Sequence, residues 1–146
     1  MTASGTTQSA VRVEEGTLKG DVADILPYAS SSLWVGDGAT FVTGADQDIQ
    51  SIDATSSGTI DISDGTVLRL TGRTSSVALN ASLFNGDGTL VNATDGVTLT
   101  GELNTNLETD SSYYLADVTV NGDLTNTSGA VSLQNGVAGR YAYGKR

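Results

Sequence analysis

Residues 118–135 read VTVNGDLTNTSGAVSLQN. Apolar side chains alternate with Thr, Asn and Ser, stop at a glycine, and resume. Alternation at period two is the mark of a strand with one buried face. The wording repeats upstream. VTLTGELN at 97–104 aligns with VTVNGDLT at 118–125, setting Gly101 against Gly122, 21 residues apart. LRLTGR (68–73), FVTGAD (41–46) and LKGDV (18–22) are looser copies, so the glycines step through 20, 44, 72, 101 and 122. A second phrase, Gly-Thr-apolar, recurs at Gly16, Gly58, Gly65 and Gly88. Short strands in self-similar units of this length predict a solenoid.

The expected fold is all-β, a parallel β-helix. Leucine-rich repeats need a Leu and Asn consensus that is missing, whereas a β-helix needs inward small aliphatics and permissive turns. About five to six coils stacked at about 4.8 Å make a rod on the order of 30 Å long. The rival is an antiparallel sandwich, because VGDGAT (35–40) and NGDGTL (85–90) carry the Asp-Gly hairpin signal. The self-similar units favour the β-helix, with which a capping hairpin at one end is compatible. Strands are expected at Thr59–Ile62, Val67–Leu70, Val97–Thr100 and Val118–Asn121. The best helical candidate, Asp21–Tyr28, is stopped by Pro27.

Composition agrees. With 5% aromatic residues, 18 glycines and one proline, the core of this 146-residue chain must be Val, Leu, Ile and Ala, broken by many turns. The net charge of −10 repels phosphate backbones and anionic lipid, so no nucleic-acid partner is expected. There is no cysteine and no histidine, which removes disulfides, thiolate sites, the usual transition-metal ligands and the usual general base. No apolar run has membrane-spanning length. The first residues, MTASGTTQSAVRVEEG, lack a basic segment followed by an apolar block and read as the middle of a strand-rich region.

Chemistry has few footholds. Asp46, Asp48 and Asp53, and Asp61 with Asp64, offer carboxylates of the kind glycoside hydrolysis pairs. Asp is also a preferred turn residue, and the turn or outward-strand reading is favoured. Asp37 and Asp87, each in Gly-Asp-Gly, have calcium-ligating oxygens, but the nine-residue GGxGxD repeat of calcium-binding rolls is absent. Lys19 has glycine three positions before it, so no Ser-x-x-Lys pair forms. The Gly144-Lys145 pair lacks the context of a phosphate loop. Sequons at Asn80, Asn92 and Asn126 are expected by chance in such a chain. The expectation is a non-enzyme with no catalytic residue, no metal and no cofactor.

Asparagines at recurring positions (Asn80, Asn85, Asn92, Asn104, Asn121, Asn126) are expected to stack as hydrogen-bonded ladders between coils. Trp34, in SLWV, is the one tryptophan. Tyr113 and Tyr114 are adjacent, so one should face outward, where it can anchor a partner. The candidate interaction residues are therefore Tyr113, Tyr114, Asn104, Asn121 and Asn126.

GDGTLVNATDGVTLTGEL (86–103) followed by DVTVNGDLTNTSGAVSLQNG (117–136) resembles the passenger domains of type V autotransporters of Gram-negative bacteria, pertactin-like and diffuse-adherence-adhesin-like, near the passenger's C-terminal end. The clear likeness covers about residues 58–136. It implies a right-handed parallel β-helix exported through a C-terminal membrane barrel to the bacterial cell surface and outer membrane. It also implies roles in adhesion, self-association, virulence and autochaperone-assisted folding. The implied partners are host-surface or bacterial-surface proteins or glycans, or the chain itself. The tail GRYAYGKR departs from the pattern, so residues 1–138 are read as one β-helical unit and 139–146 as a disordered or divergent tail. The alternatives are a free-standing secreted β-helix acting on polysaccharide, or a purely structural folding module.

Overall fold

The structure, a computed structural model, describes residues 10–25, 32–53, 55–71, 79–92, 99–109, 113–116, 118–127, 131–134 and 138–143. The strands are β1 (Ala10–Val13), β2 (Thr17–Gly20), β3 (Ser32–Val35), β4 (Thr40–Thr43), β5 (Gln47–Ile49), β6 (Ser51–Ile52), β7 (Thr59–Ile62) and β8 (Val67–Leu70). They continue with β9 (Leu79–Asn80), β10 (Phe84–Asn92), β11 (Leu99–Thr109), β12 (Tyr113–Ala116), β13 (Val118–Asn126), β14 (Val131–Gln134) and β15 (Ala138–Tyr143). Between β9 and β10 lies a single 3₁₀ turn, Ala81–Leu83, whose cap Asn80 accepts from the Ser82 N–H at 3.0 Å.

Every strand pairing among the described residues is parallel. The longest face stacks seven strands in the order β2, β4, β7, β10, β11, β13, β15. Shorter stacks are β1-β3-β6, β5-β8 and β12-β14. Consecutive strands such as β3 and β4 belong to different sheets, so the chain turns a corner and pairs with the coil before. This is the parallel β-solenoid that the sequence pattern predicts, and it excludes the sandwich. No antiparallel pair, and so no capping hairpin, occurs among the described residues. Asp37-Gly38 is a corner between β3 and β4, and NGDGTL lies inside β10, at a register shift between Asn85 and Thr89.

Stacking converts the period-two pattern into columns. Leu18, Phe41, Ile60 and Phe84 stand in successive registers, and Leu103 pairs with Val120 further up the same face. A second column runs Leu68, Leu90, Leu107, Leu124. Leu33 pairs with Val11 and Ile52 in a third. Apart from the half-buried Leu18, these side chains are buried in one core cluster. Each contributes on the order of 1.5–3 kcal/mol by leaving water.

The register corrects two expectations. Gly101 pairs with Val118, a step of 17 residues, so Gly101 and Gly122 do not stack. Their phrases look alike because both corners use the same residues, but the core columns set the register. Gly20 pairs with Thr43 rather than Gly44, and Gly72 lies outside the described residues. Residues 21–25 form no helix. Asp24 has φ 53°, its N–H donates to Asp46 O at 3.1 Å, and its carboxylate accepts from the Asp48 N–H at 2.9 Å. The loop is bound to the next coil instead of to itself.

The boundary expected at 138/139 is crossed by β15, which pairs with β13 from Thr119↔Ala138 to Asn126↔Tyr143. Residues 144–146 lie outside the described set.

Candidate interaction surface

Outward positions on the seven-strand face form a polar row. Asp61 is in register with Asn85, and Asn85 with Asn104. Asn121 then donates through Nδ2 to Asn104 Oδ1 at 2.6 Å and to Glu102 Oε1 at 2.6 Å. Asn104, Asn121 and Glu102 are all exposed. Asn85 turns its amide to Ser82 O and Leu83 O, at 3.2 and 3.4 Å.

Beside this row stands Asn106, which sequence reasoning did not single out. Its Nδ2 donates down to Asp87 O (3.2 Å) and Gly88 O (3.1 Å), and its Oδ1 accepts from the Asp123 N–H above (2.9 Å). One side chain thus bridges three coils where the strands bend. Asp46 does part of this work in an earlier coil, accepting from the Val67 N–H at 2.9 Å. Gly86, Asp87, Asn104, Thr105, Asn106, Asn121 and Gly122 line a shallow depression of about 180 Å³.

The predicted site residues separate. Asn104 and Asn121 are brought together. Asn126 is elsewhere: it pairs with the buried Thr109, in a different column. Tyr113 and Tyr114 sit on β12, in register with Val131 and Ser132. The side chains of these three lie outside the described residues. Asn80 caps the 3₁₀ turn, and Asn92 pairs with Leu70 and Thr109, so the ladder is shorter than the six asparagines expected.

A second polar constellation covers β1, β3 and the segment after β6. The Arg12 guanidinium lies 3.9 Å from the Trp34 ring centroid, a cation–π stack on registered neighbours. Trp34 Nε1 donates to Thr55 Oγ1 at 3.1 Å, and Thr55 donates its hydroxyl and N–H to Asp53 Oδ1 at 2.7 and 2.8 Å. The Thr55 hydroxyl, then the Thr55 N–H, with a smaller contribution from the Arg12 charge, hold the Asp53 carboxyl below its ordinary value, against a small opposing effect of burial.

The remaining acidic candidates are dispersed. Asp48 is in register with Arg69, Asp61 sits on a strand, and Asp64 lies exposed in a turn. Among the described residues no group of three or more His, Cys, Asp or Glu side chains could hold a metal.

A parallel solenoid with hydrogen-bonded polar rows on its outside and aliphatic columns within is an extended surface scaffold, the class that the passenger motifs imply. Comparison bears this out: the chain is 92% identical over 139 residues, 95% of its length, to the probable autotransporter YfaL of Escherichia coli (strain K12). It spans 11% of that relative. The resemblance drawn from residues 58–136 therefore holds, and the chain has the sequence and the β-solenoid fold of an autotransporter passenger segment. Similarity to an autotransporter implies secretion to the outer membrane and cell surface, and a C-terminal barrel in the parent protein. No family profile and no solved structure matches the chain.

Proposed function

We propose that this segment is a non-catalytic part of an exported passenger rod that supports adhesion or self-association and helps the passenger fold. The observation that carries the reading is the outward row Asp61, Asn85, Asn104 and Asn121, repeated coil after coil. This row of one carboxylate and three carboxamides presents polar groups at the coil spacing, and many weak contacts along a rod sum to a strong one. Asn104 and Asn121 are the central residues of this surface; Tyr113 and Tyr114 on the β12-β14 stack, and Asn126 in a different column, are separate candidate contacts. The partners are a second copy, or a protein or glycan on a host or bacterial surface.

Like-charged rods of net charge −10 repel, and salt screens that repulsion. Self-association should therefore strengthen as salt rises. Sedimentation of monodisperse protein across a salt series tests this; a weakening or no change removes the mechanism.

The second reading, a folding module whose own surface binds nothing, is supported by the unbroken leucine column from Leu68 to Leu124. Under that reading, deleting this segment from the exported parent abolishes folding of neighbouring coils, whereas substituting the exposed Asn104 and Asn121 leaves adhesion intact. Turnover in a screen of neutral and acidic polysaccharides would overturn both readings.

A further inference from the structure

The chain holds three Asn-Gly pairs, at Asn85, Asn121 and Asn135. Asn135-Gly136 lies outside the described residues. The other two are chemically alike and structurally opposite. Asn85 is half-buried and is paired on both sides, with Asp61 and with Asn104. Its amide is tied to two backbone carbonyls that precede it. Asn121 is exposed; like Gly86, Gly122 has no registered partner on either neighbour. On one side the register passes from Leu103↔Val120 to Leu107↔Leu124, and on the other it shifts between Thr119 and Asp123. The acceptors of the Asn121 amide, Glu102 and Asn104, are themselves exposed, so water can replace both bonds.

From this contrast we infer that Asn121 is a site of spontaneous deamidation, selected by its exposure and by amide bonds that water can replace. Because Gly122 has no side chain, its amide nitrogen can reach the Asn121 carboxamide. That nitrogen bonds to Cγ and gives up its proton. The Cγ–Nδ2 bond breaks, and ammonia leaves with the proton. Water then opens the five-membered imide at either carbonyl, giving aspartate or isoaspartate. The aspartate product replaces the two donated bonds with a carboxylate facing Glu102, and isoaspartate lengthens the main chain of β13 by one carbon. Either product loosens the contact between β11 and β13 in the interior of the stack.

The test is to incubate the folded chain in mildly alkaline buffer and follow each Asn-Gly peptide by mass spectrometry, with the denatured chain in parallel. Asn121 should convert several-fold faster than Asn85 when folded, and the two should converge when unfolded. Asn121→Gln should remove the fast conversion while Asn85→Gln leaves it. Equal rates at Asn85 and Asn121 in the folded chain, or an Asn121 rate far below that of the denatured chain, would overturn the inference. Asn121→Asp reads the consequence, with a lower denaturation midpoint expected.

Discussion

Gln47 stands in register beneath Leu68, at the foot of a column that leucines fill above it. It is fully buried, and its carboxamide replaces a missing strand. Nε2 donates to Val22 O at 2.7 Å and, at longer range, to Ala45 O and Gly20 O, while Oε1 accepts from the Ile25 N–H at 3.0 Å. The loop 21–25 forms no strand at this corner, so one side chain bonds the Val22 carbonyl and the Ile25 N–H.

Gln47→Leu should therefore destabilise, although it extends the leucine column. The Val22 carbonyl and Ile25 N–H would be left without their bonds, at a cost of about 1–3 kcal/mol. Urea midpoints of the two proteins decide it; an unchanged or raised midpoint for the variant would contradict this account of the corner.

Phe84 is completely buried, in register with Ile60. Phe84→Ala should cost about 3–5 kcal/mol, because the coils above and below fix the backbone and limit collapse into the cavity. Val22 is 66% exposed. Val22→Ser should stay within about 0.5 kcal/mol. Similar losses at both positions would mean that the columns are not where the stability resides.

Gly58 and Gly65 separate space from backbone conformation. A Cβ on Gly58 would collide with the Gly36 carbonyl oxygen and meet Ala39 O at 2.6 Å. Gly65 has open space around it but φ +77°. Gly65→Ala should cost about 1–2 kcal/mol from left-handed strain alone. Gly58→Ala should lose more, since backbone of the adjacent coil must move. Thermal melts of both variants rank them, and the reverse order would refute the assignment.

Asp53 gives a pH signature. Its folded carboxyl titrates below the ordinary value of 3.8, held there by Thr55 and Arg12. A depressed acid stabilises the fold above its unfolded value, and that contribution disappears as pH falls through the folded one. Trp34, bonded to Thr55, reports the event. Its emission should change below pH 3.8, and Asp53→Asn should remove that step. A flat emission profile in the parent protein through that range would show the chain from Asp53 to Trp34 to be broken.

The period-two stretches were legible because burial reads them directly. Thr59–Ile62 and Val67–Leu70 are strands with the expected bounds, and Val118–Asn121 opens β13. The register was not legible, since Gly101 and Gly122 resemble each other as corner residues while Leu103 and Val120 carry the stacking. That asparagines stack between coils was legible from their recurrence, but the Asn104–Asn121 contact was not: the glycine alignment sets Asn121 against Thr100, and only the observed 17-residue step brings the two amides together. Nor was Asn106 legible, because bridging three coils depends on a bend whose place is fixed only after the register. Gln47 had no signal beyond being a polar residue where the alternation calls for an apolar one. That mismatch is itself readable, whereas the hydroxyl chain in which Thr43 donates to Thr66 (2.6 Å) and Thr66 to Ser63 O (2.6 Å) is not, because it joins neighbouring coils whose register the sequence does not set.

Parallel stacking has a mechanical consequence. Ladder hydrogen bonds lie across the strands, so in the seven-strand face they point along the axis of the rod. A pull on one end loads them in opening mode, a layer at a time, and not in shear. Each layer that yields releases one coil of slack, between the 17 residues separating Gly101 from Val118 and the 24 separating Ile60 from Phe84. Drawn from its tip, such a rod lengthens in small unequal steps, and the layers still stacked beneath keep their grip.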